Sequence, residues 1–586
     1  MSHFGTGQRS TKVPREWLTQ FELSDQKESP RYAETMAYFN KLAASSPHAK
    51  MFTFGVSPQG RDLNYLVVSN SNEFSPQQVH NSRKAIVLIQ NGIHAGEIEG
   101  KDASMLLLRD ILITKEKSHL LENLILLVIP ILNVDGHERI SPANGPNQNG
   151  PAQMGWRTTS QNLNLNRDYM KADASEMQAL LKLYSSWLPD FIIDNHTTNG
   201  ADYQYHITYG IERHQNINTS LSAWANNLLM PFVTGRVEKA GFRTGPYISA
   251  RDSDLRNGIT MDATLPRYST GYAAAQNRLC LLVETHSLKP FGNRVHSTKA
   301  TAEAVLEYIH THTAELKKLN QEADSRATQN FGVDRHPLPV ELEVTDESRP
   351  FTFKGFESFE EDSPLTGSPV IKYSSTPVEF KVPLYDRTTV VKSVVPPFAY
   401  CIPEQFSAII QRMQLHGIEV ETVTLDQHCI VERYRFKDVR FAARPYEGRQ
   451  RVKCSMEKYT EEVFLPRGTF VVPTQQRAVR VIVNLLEPEA PDSYVQWGFF
   501  NTFFERKEYA EPYVMEPIAR QMIKDDTGLK EEFYERLDSD EAFRNDPAAR
   551  LDFFYRRSPY FDSAENVYPI MRIVDHHIFA ALKGRN

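Results

Sequence analysis

The sequence predicts an α/β fold, a mixed, mostly parallel sheet with helices on both faces, followed by a β-rich and then α-helical C-terminal region. Three observations carry this. Between Lys84 and about Ser287, short apolar runs recur without strict polar alternation, as expected of strands buried on both faces. Stretches with apolar residues at helical spacing separate them, which calls for parallel strands covered by helices. After Asn320 the composition shifts to Val, Thr, Tyr, Phe and Pro in short alternating runs, the mark of antiparallel strands.

In chain order, the predicted strands are Ala85–Gln90, Leu124–Leu132 (LILLVIPIL), Phe191–Asp194 and Leu279–Val283. The covering helices are predicted over Glu99–Thr114, Ser175–Leu188 and Lys299–Asn320. Farther on, VEFKV at 378–382, the alternating residues 418–423 and TFVV at 469–472 read as strands, and Cys401–Phe406 as a turn into a helix with no catalytic spacing around Glu404. This divides the chain into an N-terminal extension (1–30), an α/β unit (31–325), a β-rich domain (336–480) and a helical segment packing on the preceding parts (481–586). The aromatic stretch holding Tyr494, Trp497, Phe499, Phe500, Phe503 and Phe504 is expected to pack against the β-rich part.

At 586 residues the chain is long enough for two to four domains. Lys and Arg number 66 against 73 Asp and Glu, and no long basic run is present, which argues against nucleic acid or an anionic membrane as partner. The four cysteines form no CxxC pair and are too sparse for a disulfide scaffold, though one bridge among Cys401, Cys429 and Cys454 stays open. The N-terminal MSHFGTGQRSTKVPREW lacks the apolar core of a secretory signal, and no stretch approaches the roughly 18 apolar residues of a membrane span. The expectation is a soluble chain without a membrane span. Its compartment and oligomeric state stay open.

In α/β sheets ligands gather beyond the carboxyl ends of the strands. Four such ends carry polar groups here. The first leads to His94 and Glu97 in NGIHAGEIEG, the second to NVDGHERISP and GWRTTSQNLNLNRDY, the third to Asn195 and His196, and the fourth to Glu284 and His286. His94 and Glu97, three residues apart on a turn, point to one place, and His196 arrives from another strand end. Two imidazoles and one carboxylate make a three-ligand zinc site with a fourth position left for water, the arrangement of catalytic zinc. Asn91, Gly92 and Gly96 allow a tight turn, and Glu99 reads as a charge at the start of the next helix. His286, His206 and the pair His576-His577 read as structural or solvated residues.

With these residues in place, the chain resembles the M14 family of zinc carboxypeptidases, as a bacterial-type member with an additional C-terminal region. The resemblance rests on His94-Ala95-Gly96-Glu97, Trp156-Arg157, Asn166-Arg167, His196 and Glu284, with support from GVSPQGR at 55–61, Asn133-Val134-Asp135-Gly136 and Pro189-Asp190. It covers roughly 30–320 and does not reach the remainder. It implies that His94, Glu97 and His196 bind one Zn2+ ion and that Glu284 is general base and acid. It further implies that Arg157 stabilises the oxyanion and that Asn166 and Arg167 grip a terminal carboxylate. Two departures stand out. Asn164 occupies the position where relatives often carry an Asp that orients the first zinc histidine. For the mobile tyrosine that covers substrate, Tyr247, Tyr268 and Tyr272 compete, and we favour Tyr272 in RYSTGYAAAQNR.

The resemblance implies a zinc metallocarboxypeptidase that hydrolyses the C-terminal bond of peptides, its partner a peptide or amino-acid derivative with a free carboxylate. An M14-like amidase or deacylase acting on cell-wall peptides, side-chain-linked glutamates or N-acyl amino acids would keep the same residues. From another class, a catalytically weak M14-like binding protein would keep the fold and lose the chemistry. No G-x-S-x-G elbow follows a predicted strand, which argues against a serine hydrolase.

Overall fold

Every residue of the strands Ala85–Gln90 and Leu124–Ile129 is buried, as their unbroken apolar runs require. The structure, a computed structural model, describes residues 13–79, 82–252 and 254–583. Residues 1–12 of the N-terminal extension therefore lie outside the described residues. An eight-stranded sheet runs in the spatial order Ala49–Val56, Asp62–Val68, Leu124–Ile129, Ala85–Gln90, Phe191–Thr198, Leu279–His286, Ile207–Gly210, Thr244–Pro246. Its four central strands are parallel to one another, and antiparallel pairings join them to the strands on either side.

Helices cover both faces. Glu99–Leu112 and the 37-residue helix Phe291–Ala327 pack on one side, where Leu108, Ile111, Val305 and Ile309 meet the apolar side chains of the strands. The latter helix is longer than the predicted 299–320, because Phe291 and Val295 continue its apolar face into a cluster with Phe21. That cluster anchors the N-terminal extension: the Phe21 and Phe291 rings meet edge to face at 5.6 Å, and Glu22 binds Arg109 at 2.6 Å.

On the other face the helix Ser175–Trp187 covers the sheet and is itself covered by the C-terminal region. Leu180, Leu181 and Trp187 share one continuous core with Ile409, Met413, Tyr434 and Tyr494. The C-terminal region is thus built onto the α/β unit. Its larger sheet has six strands and ends at one edge in the long hairpin made by Gln427–Phe441 and Val452–Leu465. The strand Met571–Ile573 runs inside this sheet, so the segment after 481 contributes a strand as well as helices. A second long hairpin, Arg349–Ser363 with Ser368–Tyr385, pairs through Leu384 and Tyr385 with Ile259–Thr260 of the α/β unit. Trp497, Tyr494 and Phe500 are buried, in keeping with the packing read for the aromatic stretch. All four cysteines are free.

Candidate metal centre and cleft

Gln90 ends its strand inside the sheet, and the chain then turns through Gly92, whose φ of +64° suits glycine, before placing His94 and Glu97 ahead of the helix Glu99–Leu112. Gly96 serves a different need. A Cβ there would lie 3.0 Å from the carbonyl oxygen of Gly155, a tight contact that glycine avoids as the segment before Arg157 passes. His196 comes from the strand Phe191–Thr198 and Glu284 from Leu279–His286, directly opposite one another in the parallel register. Parallel pairing at matched positions sends both side chains to the same face.

The three sequence-predicted donors converge. His94 Nδ1 lies 3.0 Å from Glu97 Oε1, His196 Nδ1 lies 3.0 Å from Glu97 Oε2, and the two Nδ1 atoms are 3.2 Å apart. The outward nitrogens decide what the inward ones can do. Asn164 Oδ1, held in place by the N–H of Asn166, accepts from His94 Nε2 at 3.1 Å, and Asp194 Oδ2 accepts from His196 Nε2 at 2.8 Å. With the protons on Nε2, both Nδ1 lone pairs face the Glu97 carboxylate. Three lone-pair atoms this close repel unless a cation lies among them. N and O ligands about 2.0–2.2 Å from a tetrahedral ion sit roughly 3.3 Å from each other, so this set fits one zinc-sized ion.

Charge and burial shape the rest. Burial pushes the Glu284 carboxyl up to about 8, helped by the negative charges of Glu97, Asp194 and Glu99 and opposed by His196. One of its oxygens, Oε2, is buried without a hydrogen-bond partner. Arg157 reaches Glu97 Oε1 at 2.8 Å with its side chain half exposed to the cleft. Tyr247 is raised to about 12, by the negative charge of Glu284 and then by burial.

The cleft has two connected arms. One, about 460 Å³, is lined by His94, Glu97, Arg157, Glu284 and Tyr247. The other, about 480 Å³, holds Asn166, Arg167, Tyr268 and Asp262 together with Tyr247, Arg157 and Glu284. Arg167 is fixed on three sides: Nε donates to Tyr446 Oη at 3.1 Å, an Nη donates to the carbonyl of Asn166 at 2.6 Å, and the guanidinium lies 4.4 Å over the Tyr268 ring.

Tyr272 is not in the cleft. It is fully buried beneath the C-terminal region, its hydroxyl 2.9 Å from His416 Nδ1 and 2.8 Å from Gln276 Nε2. The apolar spacing of its short helix Ser269–Ala275 turns this residue toward the C-terminal region, so it cannot cover a substrate. Of the three competing tyrosines, Tyr247 and Tyr268 line the cleft. Glu99 does begin the helix as read, but it is fully buried, accepting from Thr285 Oγ1 at 3.1 Å and from Thr197, whose N–H binds Glu97. His286 and His206 bind backbone groups away from the donors.

Residues 35–209 match the family model for Peptidase_M14, zinc carboxypeptidase. An M14 zinc carboxypeptidase domain is thus recognised within the α/β unit. It is 25% identical to carboxypeptidase 2 of Trichophyton rubrum over 516 residues, covering 84% of this chain and 88% of that protein. It is 23% identical to carboxypeptidase 2 of Trichophyton equinum, covering 81% and 85%. Coverage this wide reaches well past residue 320, so the similarity extends into the C-terminal region, beyond the span over which the motifs are legible. A metallo-carboxypeptidase from Pseudomonas aeruginosa in complex with (2-guanidinoethylmercapto)succinic acid overlays with a TM-score of 0.37 at 17% identity, covering 49% of this chain and 70% of that one. The similarity is to zinc metallopeptidases of the carboxypeptidase class. No helix among the described residues is long and apolar enough to cross a membrane.

Several residues of this M14 site were not predicted. Asp194 supports His196 from two positions earlier on the same strand, and the period-two alternation of strands would have found it. Tyr446 and Glu447, whose carboxylate accepts from Asn164 N at 2.9 Å, come from a loop of the C-terminal region and left no signal in the sequence.

Proposed function

We propose that the protein removes the C-terminal residue from peptides with a free carboxylate, using one zinc ion held by His94, Glu97 and His196. The observation that carries this reading is the meeting, in one cleft, of three converging lone-pair donors, a partnerless carboxylate oxygen on Glu284, and Arg167 with Asn166. When bound, zinc supplies Lewis-acid polarisation of the scissile carbonyl and acidifies water at the centre.

The chain's own residues do the rest. Asn166 and Arg167 hold the terminal carboxylate, the guanidinium through paired hydrogen bonds that lysine could not make. Arg157 places positive charge where negative charge develops on the carbonyl oxygen. Glu284 takes a proton from the attacking water and returns it to the leaving amine nitrogen. A carboxyl that burial raises above its ordinary range holds the proton between the two halves of that transfer more readily than an exposed one would. Tyr247, on the wall shared by both arms, closes over the bound residue in place of Tyr272.

The test is hydrolysis of one peptide series in two forms, with free and with amidated C-termini. The free form is expected to be cleaved at least about a hundredfold faster, the scale set by a charge-assisted pair lost from an enclosed site. Equal rates would overturn the carboxylate assignment and favour an amidase that needs no terminal charge.

A further inference from the structure

The cleft continues past the metal donors. A third cavity, of about 310 Å³, shares Thr198, Asn199 and Tyr247 with the arm around the donors, and neither Asn166 nor Arg167 lines it. A peptide whose carboxylate rests on Asn166 and Arg167 carries its upstream residues to the opposite side of the scissile bond, into that arm. The third cavity opens from there.

More than a third of the lining of this cavity comes from the C-terminal region. Phe356, Ile371, Tyr373 and Phe380 of the hairpin 349–385 face Tyr203 and Leu255 of the α/β unit. The hairpin is pinned where it meets the cleft: Gln204 Nε2 donates to the carbonyls of Gly355 at 2.8 Å and Val378 at 3.0 Å, and Gln204 N donates to Lys354 O at 3.0 Å. The charged groups at the cavity already make hydrogen bonds, one of them within an ion pair. Asp202 binds Lys289 at 3.0 Å, Arg256 reaches Ser358 at 3.2 Å, and Asp254 accepts from a backbone N–H at 2.9 Å. What remains open is apolar. Ile371 and Tyr373 are 49% and 38% exposed, and covering such surface is favourable by roughly 25 cal/mol per Å².

We propose that this cavity is a subsite for a large apolar side chain, aromatic or branched aliphatic, of the peptide on the amino side of the scissile bond. The inference rests on the carboxypeptidase reading above, and it gives the hairpin of the C-terminal region a part in substrate choice. The volume suits one such side chain, and its aromatic and aliphatic walls favour an apolar one over a lysine or aspartate that would lose its hydration there.

The experiment uses the zinc-loaded full chain and hexapeptides with free C-termini. Each carries Phe, Leu, Lys or Asp in turn at each of the three positions preceding the scissile bond, on an alanine background. An N-acyl dipeptide too short to enter the cavity is the reference, and the readout is the ratio of hexapeptide to dipeptide kcat/KM. Phe or Leu at one position is expected to raise this ratio roughly tenfold over Lys or Asp. Ile371→Asp and Tyr373→Asp, both at solvent-exposed positions, should bring it down to the alanine value. Hydrolysis of all hexapeptides with one common ratio, or an unchanged preference in both variants, would overturn the subsite while leaving the carboxypeptidase reading in place. If neither dipeptide nor hexapeptide is cleaved, that underlying reading fails and the subsite with it.

Discussion

Arg167 donates from Nε to the phenol oxygen of Tyr446 at 3.1 Å, across 279 residues of sequence. Tyr446 is in turn stacked on the buried Trp497, its ring at 5.9 Å and 11° from parallel. The guanidinium proposed to hold the substrate carboxylate is therefore aimed by the C-terminal region. Tyr446→Phe should raise KM for free-carboxylate peptides about three- to tenfold and leave kcat within about twofold, since a hydrogen bond to a charged group is lost while Tyr268 still supports the guanidinium. Steady-state kinetics on free and amidated peptides check this. An unchanged KM would mean that Tyr446 does not position Arg167.

Asn164 links the same loop to the metal donors, binding His94 through its side chain and Glu447 through its backbone. Asn164→Ala removes the acceptor that fixes the His94 tautomer and should weaken zinc binding about 10- to 100-fold. Asn164→Asp, with the more basic acceptor, should tighten it. Titration against a chelator of known affinity measures both, and equal affinities in all three proteins would remove Asn164 from the account.

The interface between the α/β unit and the C-terminal region is expected to be acid-labile. His416, fully buried against Tyr272, is pushed down by burial to about 3 from an ordinary 6.5. The unfolded chain then takes up the proton first, so the stability of the neutral ring is fully present above 6.5 and is lost as pH falls toward 3. By pH 5 the loss from this group is about 2 kcal/mol. Asp173 acts later in the same direction. Burial opposes its charge, but the bonds from Arg449 and Arg412 and the charge of Lys171 hold it down at about 2, so its contribution is fully present above 3.8 and fades as pH falls from there through 2. Melting temperatures of the wild type and His416→Gln between pH 7 and 5 test this. The wild type should lose more than the variant, and parallel curves would contradict it.

Much of the α/β unit was legible because burial on both faces writes itself into sequence as unbroken apolar runs, and the metal donors because a His-x-x-Glu turn and a third donor fall at strand ends. Asp194 was within reach, two residues before His196 on one strand face. Tyr272 misled because spacing along the chain cannot tell which side of a short helix meets the cleft. Here its ring packs with Tyr169 and Tyr184 under the C-terminal region. The contributions of Tyr446, Glu447 and the hairpin 349–385 were not legible at all. They depend on how two distant parts of the chain meet, and neither loop has a pattern that its function requires.

The most direct test replaces Glu284 by Gln in the zinc-loaded protein and follows metal content and product mass together. The account predicts one zinc per chain in both proteins, release of a single C-terminal residue by the wild type, and a fall in kcat of at least about a thousandfold in Glu284→Gln, because the amide cannot carry the proton. Retention of zinc with hydrolysis at the wild-type rate would contradict it.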